Sequence, residues 1–480
     1  TTLALGLVGA LREKGLTVVP FKKGPDYIDA GWLASAAGRP CYSLDPFLIG
    51  SDRLLYSFVY HSEGSDVSVI EGNRGLFDGM DEKGSYSTAE VAKTLRAPVI
   101  LIIDCSKVTR TVAAMVLGMQ RFDPEVDIRG VVLNQVAGSR HESVICKSVE
   151  SYCHIPVLGS IPRLESGAFP ERHMGLTPHQ EHPDTERAIS FAADVALRHL
   201  DIERILRIAK GAEPLSTTQR AKGKGRRAKA ITESSKFKVP SSKGEVRIGV
   251  IRDSAFQFYY PENLEELQRH GSDIVEVSAF SERLPDDIDA LYIGGGFPET
   301  HAIALAENIK FRDSLRNAVN AGLPVYAECG GLMYLGEGLI LGGKTYPMTG
   351  IYPLHFSLEK KPQAHGYSTM EVVGKNPFFR EGVNLRGHEF HYSKPFNAGE
   401  QLRNFSYAFR MKRGQGLYEK MDGICYKNVL ATYTHLHAYG AAEWVEGMLR
   451  QAEAFKKTRC LIQDTLYTIH PSTGLGRQYK

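Results

Sequence analysis

Over the first 160 residues, short apolar runs alternate with longer stretches of helical periodicity. Small and apolar residues recur at helical spacing from Thr1 to Gly15, and Gly15 suits the position just past a helix end. Strands are predicted at 17–21, Val67–Glu71, 98–104, 128–134 and 157–161, with helices at 87–95, 108–118 and 141–152. The 98–104 run, PVILIID, is continuously apolar, as expected of a strand covered on both faces. This alternation predicts an α/β fold with a doubly wound, mostly parallel sheet. A second series begins at 245–251 and continues through a helix ending at Arg269 and strands at 273–278 and Ala290–Ile293. The run 324–335, PVYAECGGLMYL, reads as strand, sharp turn and helix. A strand at 430–437 and a helix at 441–456 close the series.

Composition divides this pattern. The 480 residues are 42% hydrophobic and 24% charged, enough for two or three domains with full cores. Net charge is +3, yet residues 213–243 hold nine Lys/Arg against two acids, a net of +7, which leaves about −4 elsewhere. That segment is polar and rich in Gly, Ser and Lys, and reads as a flexible linker rather than a nucleic-acid-binding surface. Expected boundaries are therefore 1–210, a linker at 211–244, a second domain at 245–441 and a helix and tail at 442–480. No apolar run reaches the roughly 20 residues of a membrane span. Seven scattered cysteines without a CxxC pair suit a reducing, cytoplasmic setting.

Candidate chemistry gathers at strand ends. Cys329 sits at the predicted strand–helix turn, where a thiol is exposed for attack and backbone N–H groups face a developing oxyanion. A buried cysteine on an ordinary turn is the alternative. Gly294–Gly296 ends another strand; Gly295 could donate to the oxyanion with Gly330, or simply form a tight turn. His388 and His391 are spaced HxxH on a predicted strand, which sends their rings to opposite faces and disfavours a shared metal. His435 and His437 share a strand face, and one histidine is needed to activate the thiol. In the first half, Asp26 and Asp29 come after a strand and a Gly-Pro turn, where they could ligate Mg²⁺, orient a substrate or cap the next helix. Glu71 ends a strand ahead of a glycine-rich stretch and suits Mg²⁺. A phosphate-binding GxxxxGK loop leads into a helix that begins with a hydroxyl residue and runs on to a strand, the pattern that Thr-Thr-Leu opens here. On that reading Thr1 is a Mg²⁺ ligand and the chain starts inside the P-loop.

GPDYID, EGNRGLFDG, STAEVAK, GVVLNQV and PERHMGL, with GGGFPE, AECGG, RGHEFHYS and YTHLH, together resemble the ATP-dependent amidotransferases that make cobyrinate a,c-diamide. They also resemble the relative that acts on nickel-sirohydrochlorin. The resemblance implies a P-loop, dethiobiotin-synthetase-like domain followed by a class I glutamine amidotransferase domain. It implies ATP and Mg²⁺ use, with glutamine as the ammonia source. Cys329 is then the nucleophile and His435 its partner. Other class I amidotransferases carry a carboxylate two residues after that histidine; His437 stands here, so a Cys–His dyad is expected. Thr1, Asp26 and Glu71 are assigned to Mg²⁺, with Asp29 beside them, Asp78 and Tyr27 to the tetrapyrrole substrate, and Asn134 to adenine. The implied reaction phosphorylates the a- and c-acetate carboxylates in turn, and ammonia displaces the phosphate. No nucleic-acid or membrane partner is implied, and the assembly is left open, a homodimer included. YTHLH and RGHEFHYS argue against a cobyrate synthase. Nickel-sirohydrochlorin as substrate, and a non-catalytic protein that kept the fold, remain alternatives.

Overall fold

The computed structural model describes residues 1–164, 171–172, 175–182, 184–215 and 246–469, with side chains as far as 461. Most of the expected linker, part of PERHMGL and the end of the tail lie outside the described residues. The chain divides into two compact units, Thr1–Lys236 and Phe237–Lys480.

In the first unit the parallel strands form two ladders. One runs Tyr42–Ser43, Val18–Lys22, Val67–Glu71; the other runs Val99–Asp104, Ile128–Val136, Val157–Pro162. The helix Thr2–Glu13 precedes the first strand, and the helices Tyr27–Ala37, Thr88–Leu95, Thr111–Phe122 and Ser139–Cys153 succeed strands. The opening helix is rich in small residues because it packs closely on Thr185–His199: a Cβ on Gly6 would stand 2.3 Å from the Ala192 carbonyl oxygen. Beneath the second ladder, Leu101, Ile103, Val131 and Leu133 pack on Val112, Val116, Ile145 and Val149.

The second unit is built on a ten-stranded mixed sheet. Five parallel strands lie in the order Ser272–Val277, Val246–Ile251, Ala290–Ile293, Val325–Glu328, Val429–Thr432. Five antiparallel strands continue it: Met421–Tyr426, Ser406–Arg413, Ala364–Val372, Asn384–His391 and His435–Leu436. Only Tyr433 and Thr434 separate the fifth strand from the tenth in the chain, so the sheet has to curl back on itself. That curl returns His435 to the end of the parallel strands. The helix Ala442–Ile469 covers one face, with buried Trp444 against Tyr292 and Tyr326 at ring-centre distances of 5.1 and 5.7 Å.

The predicted strand 430–437 is in fact two, Val429–Thr432 and His435–Leu436. Buried Asp422 causes the break. Its carboxylate accepts from the Thr432 hydroxyl at 2.7 Å and from the backbone N–H groups of Tyr433 and Thr434 at 3.1 and 3.3 Å, taking donors a continuous ladder would use.

Candidate active site

The strand Val325–Glu328 is buried along its whole length and delivers Cys329 at φ 48°, ψ −101°, with the helix Gly330–Leu335 starting at once. A positive φ on a non-glycine residue costs on the order of 1–2 kcal/mol and needs surrounding structure to hold it. Here the Cys329 N–H donates to the Thr432 carbonyl at 2.8 Å, and the Cys329 carbonyl accepts from Met333 N–H at 3.1 Å. The glycines behind it are sterically required. A Cβ on Gly331 would meet the Ile293 carbonyl oxygen at 2.6 Å, and one on Gly330 would lie 3.0 Å from both N and O of Gly296. Gly330 and the Gly294–Gly296 turn are thus in contact, the arrangement an oxyanion site at Gly295 and Gly330 requires.

Burial pushes the Cys329 thiol well above its ordinary value, with Glu299 adding to the rise and the Gly330 N–H working against it. A thiol so held stays protonated until a base takes its proton. His435 is buried, and its Nδ1 lies 3.2 Å from Oε2 of Glu328. The opposite edge of the ring faces the glycine turn: a Cβ on Gly295 would stand 2.5 Å from Cε1 and 3.2 Å from Nε2. A carboxylate therefore meets the histidine, from the residue just before Cys329. The buried strand VYAE contained the signal: a carboxylate ending a fully buried run requires partners.

The remaining histidines separate. His388 stacks on His435 at 4.9 Å, and burial, then His435 and His437, push it well below its ordinary value. His391 stacks on Tyr433 at 3.6 Å and donates from Nδ1 to the Ser393 carbonyl at 2.8 Å. His437 faces Glu262 at 3.6 Å, not the partner of His435. Among the described residues no group of three or more His, Cys, Asp or Glu side chains could hold a metal ion.

The first unit gathers a different set. Lys22, at the end of a buried strand, lies 2.9 Å from Asp29, 3.1 Å from Glu71 and 3.6 Å from Asp26. The Thr1 hydroxyl donates to Asp29 at 2.7 Å. Burial works against the charge on Lys22, but Glu71, Asp26 and Asp29 outweigh it and raise the amine above its ordinary value. Asp26 caps the helix Tyr27–Ala37, accepting from the Asp29 N–H at 3.0 Å; burial, then Asp29, push it up to about 6. Thr1, Asp26, Asp29 and Glu71 thus lie together, around a lysine that the sequence pattern did not single out.

Two family models match the chain. A CobQ/CobB/MinD/ParA nucleotide-binding domain covers residues 1–176, and a CobB/CobQ-like glutamine amidotransferase domain covers 247–442. The chain is 40% identical over 450 residues to the cobyrinate a,c-diamide synthase of Magnetococcus marinus, covering 94% of each. It is 39% identical to that of Archaeoglobus fulgidus, over 91% of each chain, and 37% identical to that of Listeria innocua, over 92% of this chain and 93% of the other. The chain belongs to the cobyrinate a,c-diamide synthase family.

Within that family, it joins a nucleotide-binding domain to a glutamine amidotransferase domain. Of the other residues singled out for the first domain, Tyr27 begins the helix capped by Asp26. Asp78 is exposed and closes a turn, its Oδ2 accepting from the Gly75 N–H at 3.0 Å. Asn134 is paired with Asp104 in the second ladder, and its side chain accepts from the Gln135 N–H at 3.0 Å. None of these three is among the ion-pair partners of Lys22. No helix among the described residues is long and apolar enough to cross a membrane.

Proposed function

We propose that this enzyme amidates the a- and c-acetate carboxylates of cobyrinate, using ATP and ammonia released from glutamine. The observation that carries the reading is Cys329, held at positive φ at a strand–helix turn with Gly330 against the Gly294–Gly296 turn that the His435 ring also faces, in one chain with a nucleotide-binding domain. His435 Nε2 takes the thiol proton as sulfur attacks the glutamine side-chain amide. Gly295 and Gly330 donate to the oxyanion, and the proton passes to the departing ammonia. Water then opens the thioester, returning the proton to sulfur.

In the first domain the substrate carboxylate is phosphorylated, and ammonia displaces phosphate from the acyl phosphate. Asp26, Glu71 and the Thr1 hydroxyl are the groups that would hold Mg²⁺, with Asp29 steadying Lys22. The donor set fits, because Mg²⁺ takes one or two carboxylates beside phosphates and waters rather than an all-protein cage. Bound there, it neutralises charge on the transferring phosphoryl group. Tyr27 contacts the macrocycle, Asn134 reads adenine, and Asp78 helps position the substrate carboxylate through the turn it closes. The domains span 1–210 and 245–441, joined by the basic linker 211–244 and followed by the 442–480 segment. Free thiols and ATP use support a cytoplasmic enzyme, acting as a single chain or a homodimer.

The test is an assay of the full-length protein with ATP and glutamine, offering cobyrinate and nickel-sirohydrochlorin side by side and reading product mass. The diamide of cobyrinate is expected; amidation of the nickel compound alone would overturn the substrate, and no amidation of either would overturn the reading. Cys329→Ala should lose glutamine-dependent amidation and keep the ammonia-dependent reaction.

A further inference from the structure

We infer that Glu328 is the carboxylate partner of His435, a positioning residue that fixes the tautomer of the imidazole and stabilises its protonated form. The inference deepens the amidotransferase reading and rests on it. Glu328 is fully buried, and both of its oxygens are engaged. Oε2 lies 3.2 Å from Nδ1 of His435 and accepts from the Tyr292 hydroxyl at 3.0 Å; Oε1 accepts from the Leu436 N–H at 3.1 Å. One carboxylate therefore grips the histidine twice, by its ring and by the next peptide. A second bracket holds the same segment: Asn263 donates to the Leu436 carbonyl at 3.0 Å and accepts from the Ala438 N–H at 2.7 Å.

The chemistry rests on donor and acceptor identity. An ionised carboxylate only accepts, so Nδ1 of His435 has to carry the proton. That leaves the lone pair on Nε2, at the ring edge facing the glycine turn. When Nε2 takes the Cys329 proton, the ring becomes cationic in a buried site, and the adjacent Glu328 charge offsets that cost. In a regular strand, consecutive side chains point to opposite faces. The φ of 48° at Cys329 breaks that rule: the chain turns at Cys329 while Glu328, the last residue of the strand, reaches Nδ1 of His435. The other groups around His435 do not replace the carboxylate. His388, stacked on it, is held neutral by burial and by its histidine neighbours, and so is His391. Tyr292 is a neutral donor, because burial and then Glu328 hold its hydroxyl well above the ordinary range. His437 is paired elsewhere, with Glu262.

The deciding experiment uses full-length Glu328→Gln, which keeps the shape and an acceptor for Leu436 but removes the charge. Its glutaminase kcat should fall by about 10²–10⁴-fold with KM for glutamine within about threefold. Alkylation of Cys329, read by peptide mass mapping, should move to higher pH because the imidazolium loses its counter-charge. Ammonia-driven amidation and thermal unfolding report whether the variant is folded. A wild-type kcat and an unshifted alkylation profile in folded Glu328→Gln would overturn the role. Absence of glutaminase in the wild type would instead sink the reading on which it rests. If Glu328→Gln does not fold, Glu328→Asp decides: a positioning role predicts a lower kcat with an unshifted pH profile, whereas lowered thermal stability with kcat unchanged would refute it.

Discussion

The thiol site and the lysine–carboxylate cluster both stand at the ends of buried strands, yet they are built on opposite plans. On the proposed reading every group needed at Cys329 for attack, proton transfer and oxyanion binding belongs to the protein, and each buried carboxylate there faces one histidine: Glu328 with His435, Glu262 with His437. At Lys22 one ammonium faces three carboxylates, so the cluster is net negative. The first plan suits a reaction among neutral groups in which protons move a short way. The second suits a reaction whose charge arrives with a nucleotide and its metal. The backbone differs as well: Cys329 itself has positive φ, whereas the helix beside Lys22 begins with an ordinary Asp cap.

Removing the central cation breaks the comparison most sharply. Lys22→Met should abolish amidation with glutamine and with ammonia alike, whereas Cys329→Ala silences only glutamine. It should also cost about 3 kcal/mol in urea unfolding, the low end for a broken buried pair, because the Asp26 side chain stays 30% exposed. If Lys22→Met keeps ammonia-dependent turnover, the cluster has no part in the amidation step.

The two plans also differ in how openly the sequence announced them. Cys329, Gly330 and their strand were legible because the whole strand–turn–helix unit is contiguous. His435 was legible only through the resemblance, since its approach depends on the curl of a ten-stranded sheet and on a strand break set by Asp422, ten residues before Thr432. Glu328 and Lys22 were missed for one reason. Each is an ionisable residue closing a fully buried strand, VYAE or VVPFK, and the apolar run drew attention away from the charge at its end. Burial demands a partner for such a charge, but local sequence does not name it. Asp26 was readable as either ligand or cap; Oδ1 caps the helix while Oδ2 faces Lys22 in the carboxylate cluster.

A smaller effect separates the second unit's buried histidines from the first unit's cluster by pH. Burial lowers His391 to about 4, below its usual 6.5. The unfolded chain therefore binds the proton first as pH falls, and the stability present above about 6.5 is progressively lost toward 4. Between pH 7 and 5 this one group accounts for about 2 kcal/mol. His391→Phe keeps a flat ring against Tyr433 and should lose that much less stability over the same interval, read from urea midpoints of the full-length protein. His388 shifts in the same direction and stays in both proteins, so the difference between them isolates His391. Equal pH dependence in the two would mean that His391 is not buried neutral.

The smallest test concerns Asp78, where charge and shape can be separated. Its carboxylate holds the Gly75 N–H from an exposed turn, and it is not among the ion-pair partners of Lys22. If Asp78 positions the substrate through that turn, the carbonyl of Asn can serve as well as the carboxylate. Asp78→Asn should then leave stability and KM for cobyrinate unchanged. Asp78→Ala deletes the acceptor, should cost about 0.5–1.5 kcal/mol, and should raise that KM several-fold as the turn loosens. A rise in KM with Asn equal to that with Ala would show that the charge itself meets the substrate. The first unit would then extend its electrostatic plan beyond Lys22, to a loop that otherwise behaves as scaffold.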